Sequence, residues 1–147
     1  MFLDSEVIML GQKVRVVKSD RGRPKHLGNI LYVPSSFSQD ELLNYLNNRL
    51  LRTIKSEYSK LKKNNGFYIV GEINFKLVRR FRDQSVLSSL KGSTIFVRED
   101  VVKLSRIDIR EILVHELAHI FSKCHNEKFQ MAMRYIGGNQ RRIIMQL

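Results

Sequence analysis

A single cysteine, Cys124, stands in this 147-residue chain, so no internal disulfide can form. That fits a reducing, cytoplasmic compartment, and Cys124 itself reads as a small, semi-buried side chain. No apolar run approaches the length of a membrane span, so no contact with a bilayer core is expected. The first ten residues carry Asp4 and Glu6 and lack a basic segment, which argues against a secretory signal. Acidic residues are scarce, 14 against 26 lysines and arginines, for a formal charge of +12. The excess is uneven: residues 49–82 hold ten basic and two acidic residues. A second cluster comprises Lys18, Arg21, Arg23, Lys25 and His26. Such an imbalance suggests nucleic acid or another polyanion as partner, while a solvated basic surface that keeps the protein soluble explains the charge equally well. There is no internal repeat. The length predicts one domain, 1–147, with a core that needs no disulfide staple.

The elements read as α+β. Val7–Leu10 is a short apolar run broken by Gly11-Gln12. Val14, Val16 and Val17 mark a strand, and 29–33 a second one ending at Pro34, with turn residues 20–24 between them. Together they predict an N-terminal β-hairpin or meander over 6–34, with His26 in its exposed loop. Ser38 and Glu41 form a capping box for a long helix over 38–63. Its apolar stripe is Leu42, Leu46, Leu50, Ile54, Tyr58 and Leu61, and the face around Glu57 is basic. Gly66 suits the left-handed position after the helix. Strands are expected within 67–98, at 67–70, 73–81 and 94–97, with a polar loop over 83–93. Ser105, followed by Asp108, caps a helix over 105–123, and Asn126 opens a last helix over 126–136. A basic and then apolar tail follows, available to pack on the body or form a contact surface.

Histidine is rarer than acid. The chain has four, and three of them fall within 115–125. His115 and His119 are four apart on a helix and therefore lie on one face, close enough to share a metal ion. Glu116 sits about 100° further round, where its carboxylate can reach a water on the metal without ligating it. His125 supplies a third imidazole once the chain has turned back. Three protein ligands and one open position is the arrangement of a catalytic zinc site; a structural site closes all four. An all-imidazole set with an adjacent glutamate favours Zn²⁺ over magnesium or calcium.

His-Glu-Leu-Ala-His at 115–119, five residues, then His-Asn-Glu-Lys-Phe at 125–129 resembles the YgjP-like and SprT-like zinc metallopeptidases, and is similar to the WLM proteases. The YgjP-like pattern covers most of the chain, including Tyr32-Val33-Pro34 and Gly92-Ser93-Thr94-Ile95. The resemblance implies a zincin-like fold, with a small antiparallel or mixed sheet packed on a long helix and the metal-site helix. It implies His115, His119 and His125 as metal ligands, Glu116 as catalytic base, and Phe129 as an aromatic packing position. The family's Trp-Gly-Ser-Cys stretch is missing; the chain has no tryptophan, and Leu87-Ser88-Ser89-Leu90 stands near that place. The spacing also equals that of metzincins, but their linker glycine is Ser122 here and no separate Met-turn follows.

The expected activity is hydrolysis of a protein or peptide substrate, which SprT-like and WLM proteins suggest takes place near nucleic acid. The residues named as a nucleic-acid contact are Arg21, Arg23, Lys25, Arg79, Arg80 and Arg82. Thr94–Arg98 is the candidate substrate-pairing strand, by analogy with zincins. Tyr135, Arg98 and Arg134 are candidates for a second oxyanion donor. Three alternatives stay open: a metal-dependent hydrolase of a nucleotide or other phosphorylated small molecule, a nucleic-acid-binding protein with a structural zinc, and a toxin- or virus-associated factor with the same chemistry. The sequence leaves the oligomeric state undetermined.

Overall fold

The computed structural model describes residues 5–65 and 71–137. Among these, three α-helices and two small mixed sheets form an α+β arrangement. The first sheet holds β1 (Ser5–Met9), β2 (Gln12–Ser19), β3 (Lys25–Leu27) and β4 (Ile30–Pro34), in the order β1-β2-β4-β3. The expected hairpin is thus only partly right. β1 and β2 are antiparallel, but β2 and β4 run parallel, and β3 pairs antiparallel with β4. His26 is therefore a strand residue rather than part of an exposed loop. It is half-buried, with its Nδ1 3.4 Å from Arg49 Nη1.

Alternation decides which face of this sheet is inside. Val14, Val16, Leu31 and Val33 are fully buried, while their neighbours Lys13, Arg15, Ile30 and Tyr32 point away. The inner face meets α1 (Gln39–Asn65), on which Leu42, Leu50, Ile54 and Leu61 are buried. The capping box forms as the sequence predicts: Glu41 N–H donates to Ser38 Oγ at 3.1 Å and Ser38 N–H to Glu41 Oε1 at 2.9 Å. Glu57, expected on the solvent face, is instead buried, and Arg106 and Arg110 reach it at 3.0 and 3.1 Å. Burial would raise its pKa, but the bonds from Arg110 and Arg106 outweigh that and hold the carboxyl low. A charge is tolerable there because both arginines come from the neighbouring helix. Gly66, residues 67–70 and the tail beyond 137 lie outside the described residues.

The second sheet holds β5 (Asn74–Val78), β6 (Ser88–Lys91) and β7 (Thr94–Arg98). β7 is central, parallel to β5 and antiparallel to β6. β6 lies inside the stretch read as a loop. Its four residues, Ser-Ser-Leu-Lys, offer no apolar alternation, and only the Gly92-Ser93 turn signals a hairpin.

A 3₁₀ turn, Glu99–Lys103, leads into α2 (Arg106–Ala118). Ser105 caps α2, its Oγ accepting from Asp108 N–H at 3.2 Å. The β1–β2 turn holds this junction: Leu10 N–H donates to Val102 O at 2.7 Å and Gly11 N–H to Lys103 O at 3.0 Å. Both turn residues have positive φ, +52° and +82°, as a two-residue hairpin with right-handed strand twist requires. α3 (Glu127–Gly137) follows, its start capped by Asn126 Oδ1 accepting from Phe129 N–H at 3.0 Å.

Candidate metal centre

From Glu111 to Ala118, every residue of α2 is buried. α1, α3 and β6 pack against it, so apolar residues occupy several of its faces. Glu111, His115 and Glu116 are nevertheless buried here among aliphatic side chains. Buried polar groups cost stability unless something engages them, so their placement calls for a chemical reason.

The helix ends at Ala118, five residues short of the expected Lys123, with His119 as its last capping residue. The chain must leave the helical path there to bring His125 back. Ser122 N–H still donates to Ala118 O at 3.2 Å, and Ser122 O lies 3.1 Å from His119 Nδ1. That contact orients the His119 ring: with Nδ1–H donating to the carbonyl, Nε2 offers a lone pair inward. Because the helix stops early, Ile120 and Phe121 are 39% and 40% exposed instead of completing a buried body. Cys124, expected semi-buried, is exposed.

The three imidazoles converge. His119 Nε2 lies 3.2 Å from His115 Nε2, and His125 Nε2 lies 3.4 Å from it. One ring nitrogen from each histidine falls within 4.8 Å of the others. A tetrahedral zinc with Zn–N of about 2.0–2.1 Å sets its ligand nitrogens about 3.3 Å apart. The two shorter separations match that spacing. Each ring can present one nitrogen to the same point, and the donor set thus fits a metal ion. Phe129 is fully buried beneath the rings, its centroid 4.7–5.1 Å from all three, and acts as their common floor. Burial, with the charges of His119 and His125, lowers the His115 pKa to about 4. Its ring is therefore neutral, as a metal ligand must be.

Glu116 is turned toward β6. Ser88 Oγ–H donates to Glu116 Oε2 at 2.5 Å, and the backbone N–H of Leu90 also bonds the carboxylate. Burial raises the Glu116 pKa; the Ser88 bond, the charge of His119 and the Leu90 bond oppose that rise without cancelling it. Ser88 and Leu90 belong to Leu87-Ser88-Ser89-Leu90, a stretch whose spacing carries no sign of a contact with Glu116 twenty-eight residues away from Ser88. Arg98, a candidate oxyanion donor, is engaged elsewhere. Its guanidinium donates to Gln84 O at 2.6 Å, Val86 O at 3.2 Å and Asp100 Oδ1 at 2.7 Å, pinning the loop before β6.

A cavity of about 1000 Å³ opens beside the histidines. Its walls are the 83–87 loop, β6, α2 and the 119–125 turn. Tyr135, Arg98 and Arg134 do not line it, and neither do Arg21, Arg23, Lys25, Arg79, Arg80 or Arg82. The basic candidates divide into two places. Arg21, Arg23 and Lys25 belong to the β2–β3 connection and β3, while Arg79, Arg80 and Arg82 follow β5, all of them exposed. β7 cannot be the substrate-pairing strand, because β5 and β6 occupy both its edges. Among the described residues, the unpaired strand edge beside the cavity belongs to β6.

No protein-family model matches the chain, and no curated protein matches it. Among solved structures, it is similar to the metallopeptidase zymogen of Pyrococcus abyssi abylysin, at 17% identity and a TM-score of 0.44, covering 56% of this chain and 77% of that one. A likeness of that size carries no argument about activity. The chemistry of the site rests on the histidines and on Glu116.

Proposed function

We propose that this protein is a zinc-dependent peptidase, with His115, His119 and His125 as metal ligands and Glu116 as general base. The convergence of three imidazole nitrogens beside a buried glutamate, in an open cavity, carries the reading. A zinc ion held by the three histidines would supply a Lewis acid and would bring the pKa of a bound water near 7. Glu116 takes up the water's proton and hands it to the leaving amine; its raised pKa suits both roles. Ser88 and Leu90 set the direction of its carboxylate. An extended peptide would lie along the β6 edge, by strand addition.

The cavity lining favours a peptide over a nucleotide. It contains one lysine, Lys123, against two carboxylates, Asp83 and Glu116. A polyphosphate would meet too few cations there. A purely structural zinc is disfavoured by the open cavity and by a general-base candidate beside the ligands. The charge of +12 suits substrates held close to nucleic acid.

Metal content by mass spectrometry tests the first half of the proposal. One equivalent of zinc is expected in the wild type and far less in His125→Ala. Cleavage of unstructured protein substrates tests the second half. Glu116→Gln is expected to keep its zinc and lose about 10²–10⁴-fold in rate. A wild type that takes up no metal on addition, or a Glu116→Gln variant that is fully active, overturns the reading.

A further inference from the structure

Among the described residues nothing buries the outer face of the first sheet, and its composition is unusual for a surface that only meets water. None of the side chains that β1–β4 direct outward is buried. Tyr32 and Ile30 occupy the middle of the face, on a central strand. Ile8 and Leu27, on the two edge strands, are 43% and 48% exposed. Around this apolar centre stand Lys13 and Arg15 on β2, Lys25 on β3 directly opposite Tyr32, and Arg21, whose guanidinium carbon lies 5.9 Å from the Tyr32 ring centroid. Glu6 is the acidic residue the described strands place here, at the β1 edge. Among the described residues, none of the four cations lies within 4.0 Å of a carboxylate.

We infer that this face binds single-stranded nucleic acid. The cations match phosphates in sign and surround the platform on which the bases would lie. Tyr32 offers a ring for stacking, and stacking tolerates any base whose face is free. Bases in a duplex hide those faces, so a single strand fits the centre better than a double helix does. Ile30 and Leu27 extend the apolar surface beside the ring. The strands hold the pattern rigidly, because the opposite face of the same residues' neighbours is the protein core. No residue of this sheet lines the metal-site cavity, so binding here is independent of the proposed peptidase chemistry. Arg79, Arg80 and Arg82 lie outside the platform.

Fluorescence anisotropy tests the inference with the full chain, using a labelled mixed-sequence oligonucleotide as RNA, as single-stranded DNA and as a duplex. The wild type is expected to prefer the single strands. Arg15→Glu with Lys25→Glu should weaken single-strand binding at least tenfold. Neutralising the same two positions, Arg15→Gln with Lys25→Gln, should reduce the slope of log K against log salt by about 1.4, two phosphate contacts' worth. Tyr32→Leu should weaken single-strand affinity about tenfold and leave duplex affinity unchanged, while Tyr32→Phe retains it. Circular dichroism checks that each variant is folded, and zinc content should be unaffected. Three results overturn the inference: no binding at low salt, equal losses for duplex and single strand in Tyr32→Leu, or binding that survives all these changes and is abolished by Arg79→Glu with Arg80→Glu. Binding to phosphatidylserine vesicles, with none to either single strand, also overturns it.

Discussion

Two hydrogen bonds decide where the Glu116 carboxylate points, and one of them can be removed without touching the metal ligands. Ser88→Ala deletes the donor at 2.5 Å and leaves the Leu90 N–H. Hydrogen bonds to charged groups contribute about 1.5–3 kcal/mol, so kcat is expected to fall about 10- to 100-fold. KM should barely move, and Ser88→Thr, which keeps the hydroxyl, should recover most of the rate. Unchanged kcat in Ser88→Ala would remove Ser88 from any positioning role. A second residue-scale expectation concerns acid. In the metal-free protein, His115 titrates near 4 instead of its usual 6.5, because burial and the neighbouring imidazoles disfavour its cation. Between those values the unfolded chain binds the extra proton, so its share of stability falls as pH drops through that window. The loss approaches about 3 kcal/mol and levels off below pH 4. Denaturant melts across this range check it, and His115→Gln should flatten the profile.

At the scale of elements, the site depends on how α2 begins and ends. Its start is fixed by the β1–β2 turn, whose Gly11 lies so close to the cap that an added Cβ would sit 3.2 Å from Ser105 Cα. Gly11 also has φ +82°, a conformation that other residues adopt only at a cost. Gly11→Ala is therefore expected to destabilise the fold by about 1–2 kcal/mol and to weaken metal binding, because α2 carries His115 and its C-cap is His119. A thermal melt and a zinc titration read both effects. The end of α2 is set by the turn that returns His125 beneath the Ser122 contact with His119. α1 and α2 are further joined by Glu57, held by Arg106 and Arg110 across the helix interface. None of these three couplings leaves a periodic signal, since each links residues through space or through a break in a helix.

For the whole molecule, the metal is expected to act as a ligand of the native state alone. Only the folded chain brings His125 to His115 and His119, so binding adds to stability by mass action. At a thousandfold excess of zinc over Kd the gain is about 4 kcal/mol, a rise in Tm of about 10 °C for a chain of this size. Chelation should reverse the shift and abolish hydrolysis together, and re-addition of zinc should restore both. A Tm indifferent to zinc and chelator alike would argue that the imidazoles hold no ion. The charge of +12 contributes at this scale too. Its distribution matters more than its sum, because the cavity lining has few cations while the outer face of the first sheet has many.

What the sequence determined by itself is whatever is local and periodic. The capping box at Ser38, the cap at Ser105, the long apolar stripe of α1, and the spacing that places His115 and His119 one turn apart were all legible, because helix geometry ties them to neighbours within four residues. The resemblance marks Phe129 as an aromatic packing position; its place beneath the three rings comes from the fold. The tertiary structure decided what depends on pairing at a distance. It set β2 parallel to β4, built β6 from four residues with no alternation, and made β7 central, so the unpaired strand edge beside the cavity, among the described residues, is β6. It buried Glu57 in a stretch that reads as solvent face, because its partners lie about fifty residues away on α2. It also ended α2 at Ala118. Helical propensity could have continued past that point; the packing of three rings on Phe129 requires that the chain turn instead.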